Sequence, residues 1–150
     1  MKIYLASPLF TDEQKKRINN VVSSLRELGH DVYSPVEYKV ENAWELSPRE
    51  WADKVFEEDI KQLDSADCVV SIYDGLISDT GTSWELGYAT AKGKKIFVLI
   101  TNRCSEQSLM VLNKSATVLK YENFYNINTY DWVSENPDDY WGFFKTYNLK

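Results

Sequence analysis

The stretch CVVSIYDGLISDTGTSWELGYATAKGKKIFVLI, residues 68–100, decides the fold. Val69–Tyr73, preceded by Cys68, is a short apolar run that reads as a buried central strand, and Asp74-Gly75 closes it with a turn signal. A loop leads to a helix over about Thr82–Lys92, which Gly93 stops. Lys95–Ile100 (KIFVLI) is the next strand. Strand, helix, strand in that order is one βαβ unit, the building block of a parallel sheet.

Outward from this unit the pattern repeats. Lys2–Ser7 (KIYLAS) reads as a first strand and Thr11–Leu28 as a helix. Its apolar residues Ile18, Val21, Val22, Leu25 and Leu28 fall mostly three and four apart, and Gly29 ends it. Asp31–Ser34 is a short second strand, followed by a polar and aromatic connection over 35–46. Ser47-Pro48-Arg49-Glu50 is a helix start with a mechanism: Ser47 caps, Pro48 suits the first helical position, and Glu50 completes a capping box. That helix runs to about Asp64. Beyond residue 100 come a short helix near Ser105–Leu112, a strand near Thr117–Leu119, and an aromatic helix over Asp138–Tyr147 opened by Asn136-Pro137. The expectation is an α/β domain over residues 1–150, a three-layer doubly wound (flavodoxin- or Rossmann-like) fold with five mainly parallel strands. Such folds bind ligands beyond the carboxyl ends of their strands, which selects three loops: Ser7–Phe10, Asp74–Gly81 and Thr101–Ser108.

Composition narrows the function. The 150 residues are 43% hydrophobic and 14% aromatic, the balance of a folded globular chain. The net charge is −6, and all of it falls in residues 1–75, which hold 15 acids and 9 bases. That sign disfavours binding to a nucleic-acid polymer. No stretch approaches the roughly 20 apolar residues of a membrane span, and MKIYLASPLF reads as a strand rather than a signal peptide, so a cytoplasmic protein is expected. Two cysteines, Cys68 and Cys104, and one histidine, His30, make neither a disulfide framework nor a zinc pattern. No metal site or cofactor is expected.

The chemistry-bearing residues converge on carboxylates. Glu85 lies in or near the first turn of its helix, where the dipole favours an ionised carboxylate; it serves either as a nucleophile or as a dipole complement. Gly81 permits a tight turn or close ligand approach, and Gly87, costly inside a helix, suggests close packing. Trp51, Val55, Asp59 and Leu63 are spaced by four, so Asp59 shares a stripe with apolar residues. Either it sits in apolar surroundings as a proton donor, or the stripe turns to solvent beside Glu57 and Glu58. Asp79 either binds a hydroxyl or base edge or caps the helix. Tyr4 faces away from Ile3 and Leu5 and either bonds a catalytic carboxylate or packs in the core. One carboxylate attacking an anomeric carbon while another acid protonates the leaving group is glycosidic-bond chemistry.

These residues carry a resemblance. Lys2-Ile3-Tyr4-Leu5-Ala6-Ser7-Pro8-Leu9-Phe10, the helical Asp59 followed by Ala66-Asp67-Cys68-Val69-Val70, and Asp79-Thr80-Gly81-Thr82-Ser83-Trp84-Glu85-Leu86-Gly87-Tyr88-Ala89 resemble the nucleoside 2-deoxyribosyltransferase family, with a weaker match at Ser108-Leu109-Met110. The family cleaves the N-glycosidic bond of a 2′-deoxynucleoside and passes the sugar to another base. The resemblance implies that Glu85 is the nucleophile forming a covalent deoxyribosyl ester, Tyr4 its orienting group, and Asp59 the acid that protonates the departing base. It further implies that Asp79 helps hold the nucleoside and that Phe10 and Trp51 wall the base pocket, with Ser7 and Gly81 in the loops around the substrate. The implied partners are 2′-deoxynucleosides and free nucleobases, in the service of nucleoside salvage. The family is a homo-oligomer, at least a dimer, in which the segment around Ser108–Met110 completes a neighbour's site. The aromatic tail (Trp132, Tyr140, Trp141, Phe143, Phe144, Tyr147) supplies either interface surface or an amphipathic helix folded on its own subunit.

One position departs from the pattern. Ser108 stands where well-known transferases carry asparagine. A related branch that hydrolyses 2′-deoxynucleoside 5′-monophosphates uses serines around the phosphate, one here and one at the place of Asp79. A carboxylate at Asp79 repels a 5′-phosphate, which favours a free 5′-hydroxyl, because a misplaced charge costs more than an adaptable hydroxyl. Hydrolysis of a deoxynucleotide is therefore the alternative activity, and a non-catalytic flavodoxin-like or receiver-like module a further one. Asp74 at a strand end allows the receiver reading, but Ser7-Pro8 stands where an acidic pair would close the first strand.

Overall fold

The computed structural model describes residues 1–113, 117–122 and 124, and within them the short apolar runs pair as one sheet. Its strands are β1 (Lys2–Ala6), β2 (Asp31–Tyr33), β3 (Cys68–Tyr73), β4 (Lys95–Ile100) and β5 (Thr117–Lys120). Their spatial order is β2-β1-β3-β4-β5, and every pairing is parallel. This is the flavodoxin-like doubly wound order, with the expected five strands. The winding direction reverses between β1 and β3, so a cleft opens there, beyond the carboxyl ends of the strands.

Alternation along β1 sorts the core into two halves. Ile3 and Leu5 pack with Ile18, Val21, Val22 and Leu25 of α1 (Asp12–Glu27) on one face. Tyr4 and Ala6 turn to the other face, where they join Leu63 of α2 (Pro48–Ser65), Leu86 and Ala89 of α3 (Thr80–Ala91) and Leu112 of α4 (Leu109–Asn113). Helices thus cover both sides of the sheet. β3 is buried throughout, as a central strand flanked on both faces must be.

The caps behave as read. Ser47 and Glu50 form a reciprocal capping box at α2, with Pro48 opening the helix, and Gly29 takes a left-handed φ of 82° just past α1. Several boundaries differ. β1 ends at Ala6 rather than Ser7. Leu28 is the C-cap residue of α1 and stands partly exposed instead of joining the buried stripe. The connection over 35–46 contains two single 3-10 turns, Pro35–Glu37 and Ala43–Glu45. α4 begins at Leu109 instead of Ser105, because Gln107 is held by its own loop, its amide donating to the Cys104 carbonyl at 2.8 Å. Gly87 does not serve close packing within the chain: a methyl group added there meets nothing within 4 Å. The aromatic helix expected over Asp138–Tyr147 lies outside the described residues. Among those residues no helix is long and apolar enough to cross a membrane.

Candidate active site

α3 starts two residues before the sequence suggested, and Asp79 is the reason. As N-cap, its Oδ1 accepts from the Thr82 amide at 3.0 Å and its Oδ2 from the Thr82 hydroxyl at 2.5 Å. An Asp-x-x-Thr start satisfies one orphan backbone donor and fixes the entry of the chain into the helix. Gly81 belongs to this cap, since a Cβ there would lie 2.8 Å from Asp79 Oδ1. With α3 beginning at Thr80, Glu85 falls in the second turn, past the reach of the dipole that was expected to keep it ionised.

What holds Glu85 is Tyr4. The phenol of Tyr4, fully buried on β1, donates to Glu85 Oε1 at 2.6 Å. Burial pushes the Glu85 carboxyl up to about 8; the Tyr4 hydrogen bond opposes the shift, while the charges of Asp59 and Asp79 add to it. The Tyr4 phenol is itself raised, first by burial and then by the Glu85 charge, so it remains a donor.

Asp59 does not turn to solvent. The α2 stripe runs from exposed Trp51 through half-buried Val55 and Asp59 to fully buried Leu63, so the carboxylate sits where the helix passes from water into the core. Tyr33 donates to Asp59 Oδ1 at 3.0 Å. Burial raises the Asp59 carboxyl, against the Tyr33 hydrogen bond, which lowers it.

A cleft of about 610 Å³ gathers most of the expected residues: Ser7 and Phe10 after β1, Trp51 and Asp59 on α2, and Asp79, Gly81 and Glu85 at the head of α3. Thr82 joins them on α3, and Lys15 of α1, Leu9, Pro35, Val36, Tyr38 and Val55 complete its wall. Of these, Lys15, Pro35, Val36 and Tyr38 carried no motif in the sequence, and neither did Tyr33, which bonds Asp59. The one signal available for Tyr33 was the pairing of two neighbouring parallel strands that each present a tyrosine. Ser108 and Met110 do not line this cleft. Ser108 lies with Ser83 against the phenol of Tyr73, and Met110 is 86% exposed. Among the described residues no group of three His, Cys, Asp or Glu side chains is arranged to hold a metal ion.

Asp74 has another task. It is buried, accepts from Thr101 Oγ1 at 2.5 Å and pairs with Arg17 Nη2 at 3.3 Å. A carboxylate so enclosed ties α1 to the ends of β3 and β4, which removes the basis of the receiver-like reading.

Fold and site together define an enzyme that sets paired carboxylates at the switch point of a flavodoxin-like sheet. The chain belongs to the nucleoside 2-deoxyribosyltransferase family, whose model matches residues 3–127. It is 26% identical over 138 residues to a nucleoside deoxyribosyltransferase of Lactobacillus leichmannii, covering 84% of this chain and 88% of that one. The structure of a 2-deoxyribosyltransferase from Bacillus psychrosaccharolyticus superposes with a TM-score of 0.76 at 33% identity, over 89% of this chain and 95% of that one. A CMP N-glycosidase from Clostridium botulinum shares the fold, with a TM-score of 0.59 at 24% identity over 87% of this chain and 99% of that one.

Proposed function

We propose that this enzyme moves the 2-deoxyribosyl group of a 2′-deoxynucleoside to another purine or pyrimidine base through a covalent ester on Glu85. The observation that carries the reading is the 2.6 Å hydrogen bond from Tyr4 to Glu85, which leaves the second carboxylate oxygen unclaimed by the phenol in a cleft that also holds Asp59. In the first half-reaction a Glu85 oxygen forms a bond to the anomeric carbon as the C–N bond breaks. The electron pair of that bond goes to the base nitrogen, and Asp59 supplies the proton. In the second half-reaction an incoming base attacks the ester and returns its proton to Asp59, which gives ping-pong kinetics.

The carboxyl pair works on one shared proton. Burial favours keeping it on Glu85 while the cleft is empty. Positive charge developing at the anomeric carbon beside Glu85 reverses that preference and leaves the proton on Asp59. A 2′-deoxy sugar lacks the electron-withdrawing 2′-hydroxyl, so two carboxylates and a tyrosine suffice for its oxocarbenium-like transition state. Phe10, Trp51, Val36 and Tyr38 give the cleft aromatic and apolar walls that shield the ester from water. Asp79 holds a sugar hydroxyl beside its capping role.

Three carboxylates, Asp59, Asp79 and Glu85, face the cleft with Lys15 as the cation among its lining residues, which disfavours a 5′-phosphate. We assign the segment Ser108–Met110 to the site of a second copy in a homo-oligomer, consistent with its position off this chain's own cleft and its exposure. The role that fits is cytoplasmic nucleoside salvage. Supplying 2′-deoxyinosine with adenine, and separately a 2′-deoxynucleoside 5′-monophosphate alone, tests the reading. Newly formed 2′-deoxyadenosine is the expected product; free sugar phosphate without base exchange makes the protein a hydrolase instead.

A further inference from the structure

Tyr4 and Tyr33 are register partners on the adjacent parallel strands β1 and β2, so their side chains leave the sheet at the same level and on the same face. Their rings stack with centroids 5.5 Å apart and an interplanar angle of 29°. The two phenols meet both helices, with the Tyr4 phenol also lying against Asp59, where it lowers the carboxyl less than Tyr33 does. Tyr4 donates to Glu85 on α3 at 2.6 Å, and Tyr33 donates to Asp59 on α2 at 3.0 Å. Neither tyrosine lines the cleft into which the two carboxylates project. The sheet therefore fixes two carboxylates borne by two separate helices through one stacked pair.

We propose that Tyr33 is a positioning residue for the proton donor Asp59, the counterpart of Tyr4 for Glu85. This rests on the transferase reading, in which Asp59 protonates the departing base. A phenol that donates to Oδ1 disfavours a proton on that oxygen and directs the acid's proton to Oδ2, on a residue that lines the cleft. The hydrogen bond also holds the carboxyl in one rotamer at the point where α2 emerges from the core. A donor held this way needs less reorganisation at the moment of bond cleavage. Tyr33 is half-buried and stacked on fully buried Tyr4, so the sheet gives it a rigidity that an exposed helix residue such as Asp59's neighbour Glu57 lacks.

The test is a comparison of leaving groups in the Tyr33→Phe variant, which keeps the stacked ring. Two donors are offered: 2′-deoxyinosine, whose base must be protonated to leave, and 7-methyl-2′-deoxyguanosine, whose cationic base leaves without taking a proton. Tyr33→Phe is expected to lower kcat about 10- to 100-fold on 2′-deoxyinosine, a part of what general acid catalysis supplies, with KM little changed. On the cationic donor the loss is expected to stay below about 3-fold. In the Asp59→Asn background the same substitution is expected to cost nothing further, whereas a folding defect would persist there. Equal losses on both donors, no loss on either, or an undiminished effect in the Asp59→Asn background overturns the role of Tyr33. Wild-type protein that turns over neither donor overturns the transferase reading, and the inference with it.

Discussion

Replacing Glu85 by glutamine keeps the side chain's size and its capacity to accept from Tyr4 but removes the carboxylate proposed as the nucleophile. Base exchange is expected to fall by at least about 10³-fold. The same substitution is expected to stabilise the fold at alkaline pH. Glu85 titrates near 8 in the folded protein against 4.5 for an unperturbed glutamate, so folding binds its proton more tightly. The stability it allows is complete below about pH 4.5 and is lost as pH rises through about 8. Glutamine has no proton to lose, so melting curves of Glu85→Gln and wild type should coincide near pH 4.5 and separate by about 1–3 kcal/mol at pH 8. Unchanged melting behaviour at pH 8 would contradict the buried, proton-holding environment. Activity follows the same titration: kcat/KM should decline above about pH 8, as Glu85 loses the proton that the proposal passes to Asp59. In Asp59→Asn that alkaline decline should disappear along with most of the rate, as pH–rate profiles of the two proteins would show. The motif Asp79–Ala89 made Glu85 legible in the sequence, but the force on its proton was not. A helix dipole favours an ionised side chain, whereas at Glu85 desolvation beside buried Tyr4 dominates, and a partner 81 positions away leaves no local trace in the sequence.

α3 and the loops that start it show how one element carries two duties. Asp79 both caps the helix and faces the cleft, and two substitutions separate these roles. Asp79→Ala removes the cap and should cost about 1 kcal/mol, while Asp79→Asn keeps a good cap and should stay within about 0.5 kcal/mol of wild type. Both should raise KM for the nucleoside if the carboxylate holds a sugar hydroxyl, so thermal melts read the cap and kinetics read the ligand. Gly75 is the other fixed point. Its φ is 68°, and an added Cβ would lie 2.4 Å from the Glu106 carbonyl oxygen, which already accepts from the Leu76 amide at 3.0 Å. Gly75→Ala should therefore destabilise by more than about 2 kcal/mol, seen as a lower denaturant midpoint with unchanged slope. Element types were legible because caps and periodicity are local: the Ser47 box and Gly29 stand where they were read. The start of α3 was half legible, since capping was one of the two readings of Asp79, and the start of α4 was not, because the Gln107 loop contact is a side-chain choice that periodicity does not encode.

At the scale of the molecule, the sheet order follows from short parallel units and right-handed crossovers, which is why alternating apolar runs sufficed to place five strands. The cleft wall was only half legible. Phe10 and Trp51 came from motif resemblance, but Val36 and Tyr38 reach the site from the 3-10 connection after β2, a tertiary meeting that no spacing announces. The outer faces carry exposed aromatic and apolar residues, with Phe56 against Trp84, Trp84 stacked on Tyr88, and Leu109 and Met110 open to solvent. An assembly with sites shared between copies predicts sedimentation as a dimer or larger at micromolar concentration, and a Met110→Asp protein that loses activity as it dissociates. A fully active monomer would contradict the shared site. The central claim is tested most directly by incubating the protein with a 2′-fluoro-substituted nucleoside and mapping the trapped sugar by mass spectrometry. The account predicts a single adduct on the peptide containing Glu85, absent in Glu85→Gln; an adduct on another side chain, or normal base exchange by Glu85→Gln, would contradict it.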